Sequence, residues 1–129
     1  MNNNTYFQEC DALLLSVISR YSGRNIYKIL TTIDFYYRIL PSFSELSGAM
    51  IRLQESGLVI NKKTGIFCTD KSKKLFRGTS GMGMTSLMIN LTERLPEFQF
   101  YEKCEVTFFI DEEEYSCAIR DIKRGMNKA

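Results

Sequence analysis

The sequence predicts an α+β, mostly helical fold: three helices, a β-hairpin, then a C-terminal extension of two helices and a short strand segment. Three observations carry this. Apolar residues recur at helical spacing in three successive runs ahead of Gly57. The period then shortens to that of two short strands around a glycine turn, and beyond a glycine-rich stretch helical spacing returns twice. With 129 residues, 44% of them hydrophobic, the chain is one ordinary domain, or a small domain with an appended lobe, and can bury a core of useful size.

In QECDALLLSVISRYSG, Leu13, Leu14, Val17, Ile18 and Tyr21 share one helix face, and Gly23 stops the run. In NIYKILTTIDFYYRILP, Asn25 is placed to cap, Ile26, Ile29, Leu30, Ile33 and Tyr37 share a face, and Pro41 is the expected stop. Ser42-Phe43-Ser44-Glu45 reads as a capping box opening a third helix, whose buried stripe is Leu46, Ala49, Met50 and Leu53 and whose natural C′ residue is Gly57. Leu58–Asn61 and Ile66–Thr69 flank Lys62-Lys63-Thr64-Gly65, a hairpin signature with glycine at the turn. Thr69 or Asp70 is expected to cap a short helix anchored by Leu75 and Phe76.

The run SFSELSGAMIRLQESGLVINKKTGIFCTDKSKKLF resembles the second half of a winged-helix domain. Such domains commonly read S-x-x-E-L-x-x-A-L-x-x-L-x-x-x-G-L-I, then a hairpin, then a Leu-Thr-x-x-Gly step into a further helix. The matching positions are Ser42, Glu45, Leu46, Ala49, Met50, Leu53, Gly57, Leu58, Val59 and Thr69, with departures at Cys68 and Lys73. The resemblance covers roughly residues 9–77 and implies three helices plus a hairpin wing; it specifies architecture better than function.

The expected organisation is therefore a winged-helix domain over 1–77, a glycine-rich linker over 78–86, and a helix-strand-helix extension over 87–129 packing on the first part. In the extension, Thr85 or Ser86 is expected to cap a helix with Leu87, Met88, Leu91 and Leu95 on one face. Met88 is expected in the core, and Met82 and Met84 in the loop. Phe98 and Phe100 alternate, as do Val106, Phe108 and Ile110, which predicts a strand pair around Glu102-Lys103. Asp111 caps a last helix whose first turn holds three glutamates, matching the positive end of the helix dipole, and Gly125 ends it.

The stretch RGTSGMGMTS spells G-x-x-x-x-G-Met-Thr from Gly78, a phosphate-loop spacing with methionine where lysine belongs. A phosphate loop needs a buried strand before it. Here the preceding Lys71-Ser72-Lys73-Lys74-Leu75-Phe76 is charged and helical, so a connector is expected and no nucleotide site.

The chain contains no histidine, which removes the usual general base near neutral pH and the usual partner of a serine or cysteine nucleophile; no enzyme is expected. Cys10, Cys68, Cys104 and Cys117 form no C-x-x-C pair, so neither a metal site nor a cofactor is expected. No apolar run is long enough to span a membrane, and MNNNTYFQEC has neither the charge nor the apolar stretch of a secretory signal, so a cytoplasmic protein is expected.

Charge is unevenly divided. Residues 1–77 hold 11 Lys/Arg against 6 Asp/Glu, and residues 78–129 hold 6 against 9. A basic winged helix with an acidic extension has two expected roles. In one it is a DNA-binding transcriptional regulator: Ser44, Ser47 and Arg52 of the third helix touch bases, while Lys28 and the wing-tip Lys62 and Lys63 hold phosphates of double-stranded DNA. In the alternative it is a protein-interaction or dimerisation module that uses Ser44, Gly48 and Ile51, where the glycine lets another backbone approach and Ile51 offers apolar surface. The third helix favours the alternative, because Glu55 faces outward beside few base-reading side chains; the wing favours DNA.

Overall fold

The computed structural model describes residues 6–100, 102–107 and 110–127, with side chains described as far as 125. Its order is α1 (Glu9–Arg20), α2 (Ile26–Tyr37), α3 (Phe43–Glu55), β1 (Val59–Lys62), β2 (Gly65–Cys68), a 3-10 helix (Asp70–Phe76), α4 (Met84–Arg94) running into a 3-10 turn (Leu95–Glu97), and α5 (Glu112–Asn127). The fold is α+β and mostly helical, with one two-stranded antiparallel hairpin.

At the centre lies α1. Every residue from Asp11 to Ile18 is buried, because α2, α3, β2 and α4 pack around it. The sequence pattern shows one apolar face; the other faces carry Leu15, Ala12, Ser16 and Asp11, and all four are buried at 0% exposure. Ser16 manages this by donating to Leu13 O at 2.7 Å, with the Tyr37 hydroxyl oxygen 3.0 Å from its own.

The caps of α2 and α3 form as the sequence predicts. Asn25 Oδ1 accepts from Lys28 N, Ser42 Oγ accepts from Glu45 N, and Glu45 Oε1 accepts from Ser42 N. The Leu46, Ala49, Met50 and Leu53 stripe is fully buried. The stop of α2 differs from expectation: the helix closes at Arg38, in the left-handed region at φ 57°, ahead of Pro41.

The hairpin pairs Val59 with Cys68 through Lys62 with Gly65. It also gains a third, one-residue strand from between α1 and α2: Gly23 N donates to Ile66 O at 2.8 Å and Ile66 N to Arg24 O at 3.0 Å. This contact needs Gly65, whose φ is +143° and whose added Cβ would lie 2.1 Å from Gly23 O. Gly23 is thus more than a helix stop, because it seats the α1–α2 connection on the hairpin. The helix over 70–76 is 3-10, and Thr69 turns its hydroxyl to Gly57 O, so it supplies no side-chain cap.

Beyond residue 77 four expectations change. The helix expected after a cap at Thr85 or Ser86 starts earlier, at Met84 with Gly83 at the cap position, inside the 78–86 stretch expected as a linker. Met84 is a core residue at 8% exposure, because its carbonyl accepts from the Tyr37 hydroxyl and draws the helix start onto α2. Residues 98–100 and 102–107 make no strand pair. Phe98 and Phe100 instead lie against Phe7 and Tyr6, and the backbone finds partners on α3; Phe108 lies outside the described residues. Finally, α5 runs through Gly125 to Asn127. Its start is as predicted, with Glu114 N on Asp111 Oδ1 at 2.7 Å and Asp111 N on Glu114 Oε1 at 3.1 Å.

Candidate functional site

The expected contact helix, α3, is tied down on two sides. On one, Arg52 Nε and Nη2 donate to Asp11 Oδ2 and Oδ1, both at 2.8 Å, a two-pronged pairing of guanidinium and carboxylate. Asp11 is fully buried, and its Oδ2 also accepts from Gln8 N at 3.0 Å, so one carboxylate closes the start of α1 and anchors α3. Burial pushes the Asp11 carboxyl above its ordinary value; the Arg52 fork and the Gln8 amide oppose this. The Arg52 guanidinium is raised in turn by its bonds to Asp11.

Gly48 belongs to the same arrangement. A Cβ there would lie 2.9 Å from Arg52 Nη1. The space expected to admit another backbone is filled by the chain's own guanidinium.

On the other side, Gln54 is 2% exposed and makes both hydrogen bonds that a neighbouring strand would make: its Nε2 donates to Thr107 O at 3.2 Å and its Oε1 accepts from Thr107 N at 2.8 Å. Glu55 O accepts from Cys104 N at 2.9 Å, and Glu55 Oε1 accepts from the Tyr6 hydroxyl at 2.7 Å. Glu55, expected to face outward, therefore belongs to the packing of the 102–107 segment. What remains outward on α3 is Ser44 and the capping Glu45, both exposed, Ser47, half-buried, and Ile51 at 42% exposure.

Lys28, Lys62 and Lys63 are brought together. With Arg24 they line one wall of a groove of about 860 Å³, because the Gly23–Ile66 contact sets the start of α2 beside the hairpin turn. The opposite wall is α5, which presents Glu113, Glu114 and Asp121 with Cys117 and Ala118 among them. The helix is held there by buried Ala118 and Ile122, by the Tyr115 ring on Phe43, and by the Tyr115 hydroxyl, which donates to Pro41 O. None of the ion pairs among the described residues crosses the groove. Lys62 instead stands over the Phe67 ring, and Arg24 over the Tyr21 ring. Arg52, Ser44 and Ser47 do not line the groove, so the six residues expected on DNA do not form one surface.

Burial pushes the Cys10 and Cys68 thiols up to about 12, which keeps both protonated and unreactive near neutral pH. Among the described residues no group of His, Cys, Asp or Glu is placed to hold a metal, and no helix is long and apolar enough to cross a membrane.

One surface escaped the sequence reading. Tyr27, Phe35 and Tyr36 of α2 are 38%, 65% and 40% exposed, and Ile39 just beyond is 56% exposed. The signal was present in IDFYYRIL: six of its eight residues are aromatic or aliphatic, more than one helix face can bury, so some had to point outward. Compared with protein-family models, with curated proteins and with solved structures, the chain matches none.

Proposed function

We propose that this chain is a winged-helix interaction module that binds protein surface and reads no DNA bases. The order of elements supports the winged-helix part: α1, the single bridge at Arg24, α2, α3 and the hairpin. The observation that carries the rest is the Arg52–Asp11 pair. Base reading calls for Arg, Lys, Asn or Gln presented to a groove edge. On α3 the two such side chains, Arg52 and Gln54, are both turned into the protein and bonded there, Arg52 through Nε and Nη2 and Gln54 through both ends of its amide. Ser44, Glu45, Ser47 and Ile51 are left, a surface of two hydroxyls, one carboxylate and one apolar side chain that suits protein contact better than a polyanion.

The grouping of Arg24, Lys28, Lys62 and Lys63 favours a second reading, contact with the phosphates of double-stranded DNA without base recognition. Against it stand Glu113, Glu114 and Asp121 on the facing wall, which a polyanion would meet on entry.

The test is fluorescence anisotropy of a mixed-sequence duplex titrated with the protein across a salt series. The module reading expects no steeply salt-dependent binding and no change on Lys62→Glu with Lys63→Glu. Micromolar binding that collapses with salt and disappears in the double variant would replace it with the phosphate reading.

A further inference from the structure

The exposed face of α2 is complementary to its own image. The helix buries Ile26, Ile29, Leu30, Thr32 and Ile33, so at 100° per residue its opposite face centres on Thr31 and carries Tyr27, Lys28, Asp34 and Phe35 around it. Phe35, at 65%, is the most exposed large hydrophobic side chain among the described residues. A shallow depression of about 250 Å³, lined by Tyr21, Thr31, Thr32, Phe35 and Tyr36, lies beside it. An aromatic patch next to a recess on one helix face marks a contact surface.

We infer that a second copy of this chain docks here, α2 against α2, antiparallel, about a twofold axis through Thr31. In that arrangement residues equidistant from Thr31 face each other. Lys28 stands opposite Asp34 of the second copy. Tyr27 stands opposite Phe35 and over the recess, and each pair occurs twice by symmetry. Thr31 meets itself, and its small side chain lets the two axes approach.

The charges select this register. A parallel pairing sets Lys28 against Lys28, and a slip of one turn towards the C-terminus sets Lys28 against Arg38. The like charges of the chosen register, Arg24 and Arg38, fall at its ends in solvent, where Arg24 is drawn back over its own Tyr21 ring at 4.8 Å. One helix face is a small interface, so the dimer is micromolar and dissociates on dilution.

This rests on the interaction-module reading and adds to the α3 surface a second contact face, on α2. Light scattering after size exclusion, from low micromolar to near-millimolar protein, measures it directly. The mass is expected to climb from 15.0 kDa towards twice that value. Phe35→Glu is expected to hold it at 15.0 kDa with unchanged circular dichroism. Lys28→Asp and Asp34→Lys, each alone, weaken association by about tenfold or more. Combined in one chain they restore it, because each new aspartate faces a new lysine. Thr31→Cys is expected to give a disulfide-linked dimer on a non-reducing gel, which the wild type does not.

A wild type that stays monomeric throughout overturns the inference, as does a dimer that survives Phe35→Glu, or a double charge swap no better than its singles. Such a failure is distinct from failure of the module reading, which falls to salt-dependent duplex binding and not to a monomeric mass.

Discussion

Replacing Arg52 by methionine keeps much of the side chain's length and removes its charge. It leaves Asp11 fully buried, with the Gln8 amide as its one remaining hydrogen-bond partner among those seen here. Removing one member of a buried ion pair costs about 3–5 kcal/mol, because the other charge stays out of water without compensation. Since the Arg52 side chain is 17% exposed, the lower end applies, about 3 kcal/mol. A domain has about 5–15 kcal/mol of stability, so the loss is large, and it corresponds to a fall in Tm of about 10 °C. The cost depends on pH in a direction that can be stated. Without Arg52, burial holds the folded Asp11 pKa further above the unfolded value, so the folded state keeps a proton that the unfolded chain has released. The cost is absent below the unfolded value, grows as pH rises through the window between the two, and is complete above the folded value. Urea unfolding followed by circular dichroism at pH 7 and at pH 4.5 should show the larger loss at pH 7. Adding Asp11→Leu should recover most of it, less about 1 kcal/mol for the lost helix cap. A loss under about 1 kcal/mol at pH 7, or an equal loss at both pH values, would refute the reasoning, since the pair would then be a surface contact of little worth.

Gln54→Ala removes both hydrogen bonds to Thr107 and should release the 102–107 segment, raising tryptic cleavage after Lys103 and amide exchange there. Global stability should fall by only about 2 kcal/mol; unchanged exchange at Thr107 would show that the segment is held by other contacts. Gly65→Ala drives a Cβ into Gly23 O and should cost more than about 2 kcal/mol, lowering Tm, whereas Gly81→Ala, which meets nothing within 4 Å, should cost less; equal effects would mean that the α1–α2 connection does not need the hairpin.

The elements legible in the sequence are those set by local chemistry. Ser42 with Glu45, Asn25, and Asp111 with Glu114 satisfy helix-end amides within three residues of themselves, so the caps of α2, α3 and α5 could be read without knowing the fold. Likewise the Leu46, Ala49, Met50 and Leu53 stripe follows from a helical repeat, and the hairpin from Gly65 at a turn between two short apolar runs. The strand pair expected from Phe98, Phe100 and Val106 failed because alternation shows that a segment is extended but not what it lies beside. A side-chain amide, Gln54, took the place of the neighbouring strand.

The candidate surfaces divide along the same line. Lys62 and Lys63 are exposed wherever a hairpin turn puts them, so their place at the tip of the hairpin was readable. Arg52 was not: a helical wheel fixes the angle of a side chain on its own helix but says nothing of a buried carboxylate on another. Asp11 lies 41 residues away in sequence, and it turned an expected base-reading residue into a strut. The same holds for Gly48, whose open space Arg52 fills, and for Met84, which the Tyr37 hydroxyl draws out of an apparent linker. Local sequence decides where helices begin and which side of each is apolar, because those energies come from neighbours along the chain. Which polar side chains remain free to meet a partner is decided by contacts between elements far apart in sequence, and these exist only once the core has closed around α1.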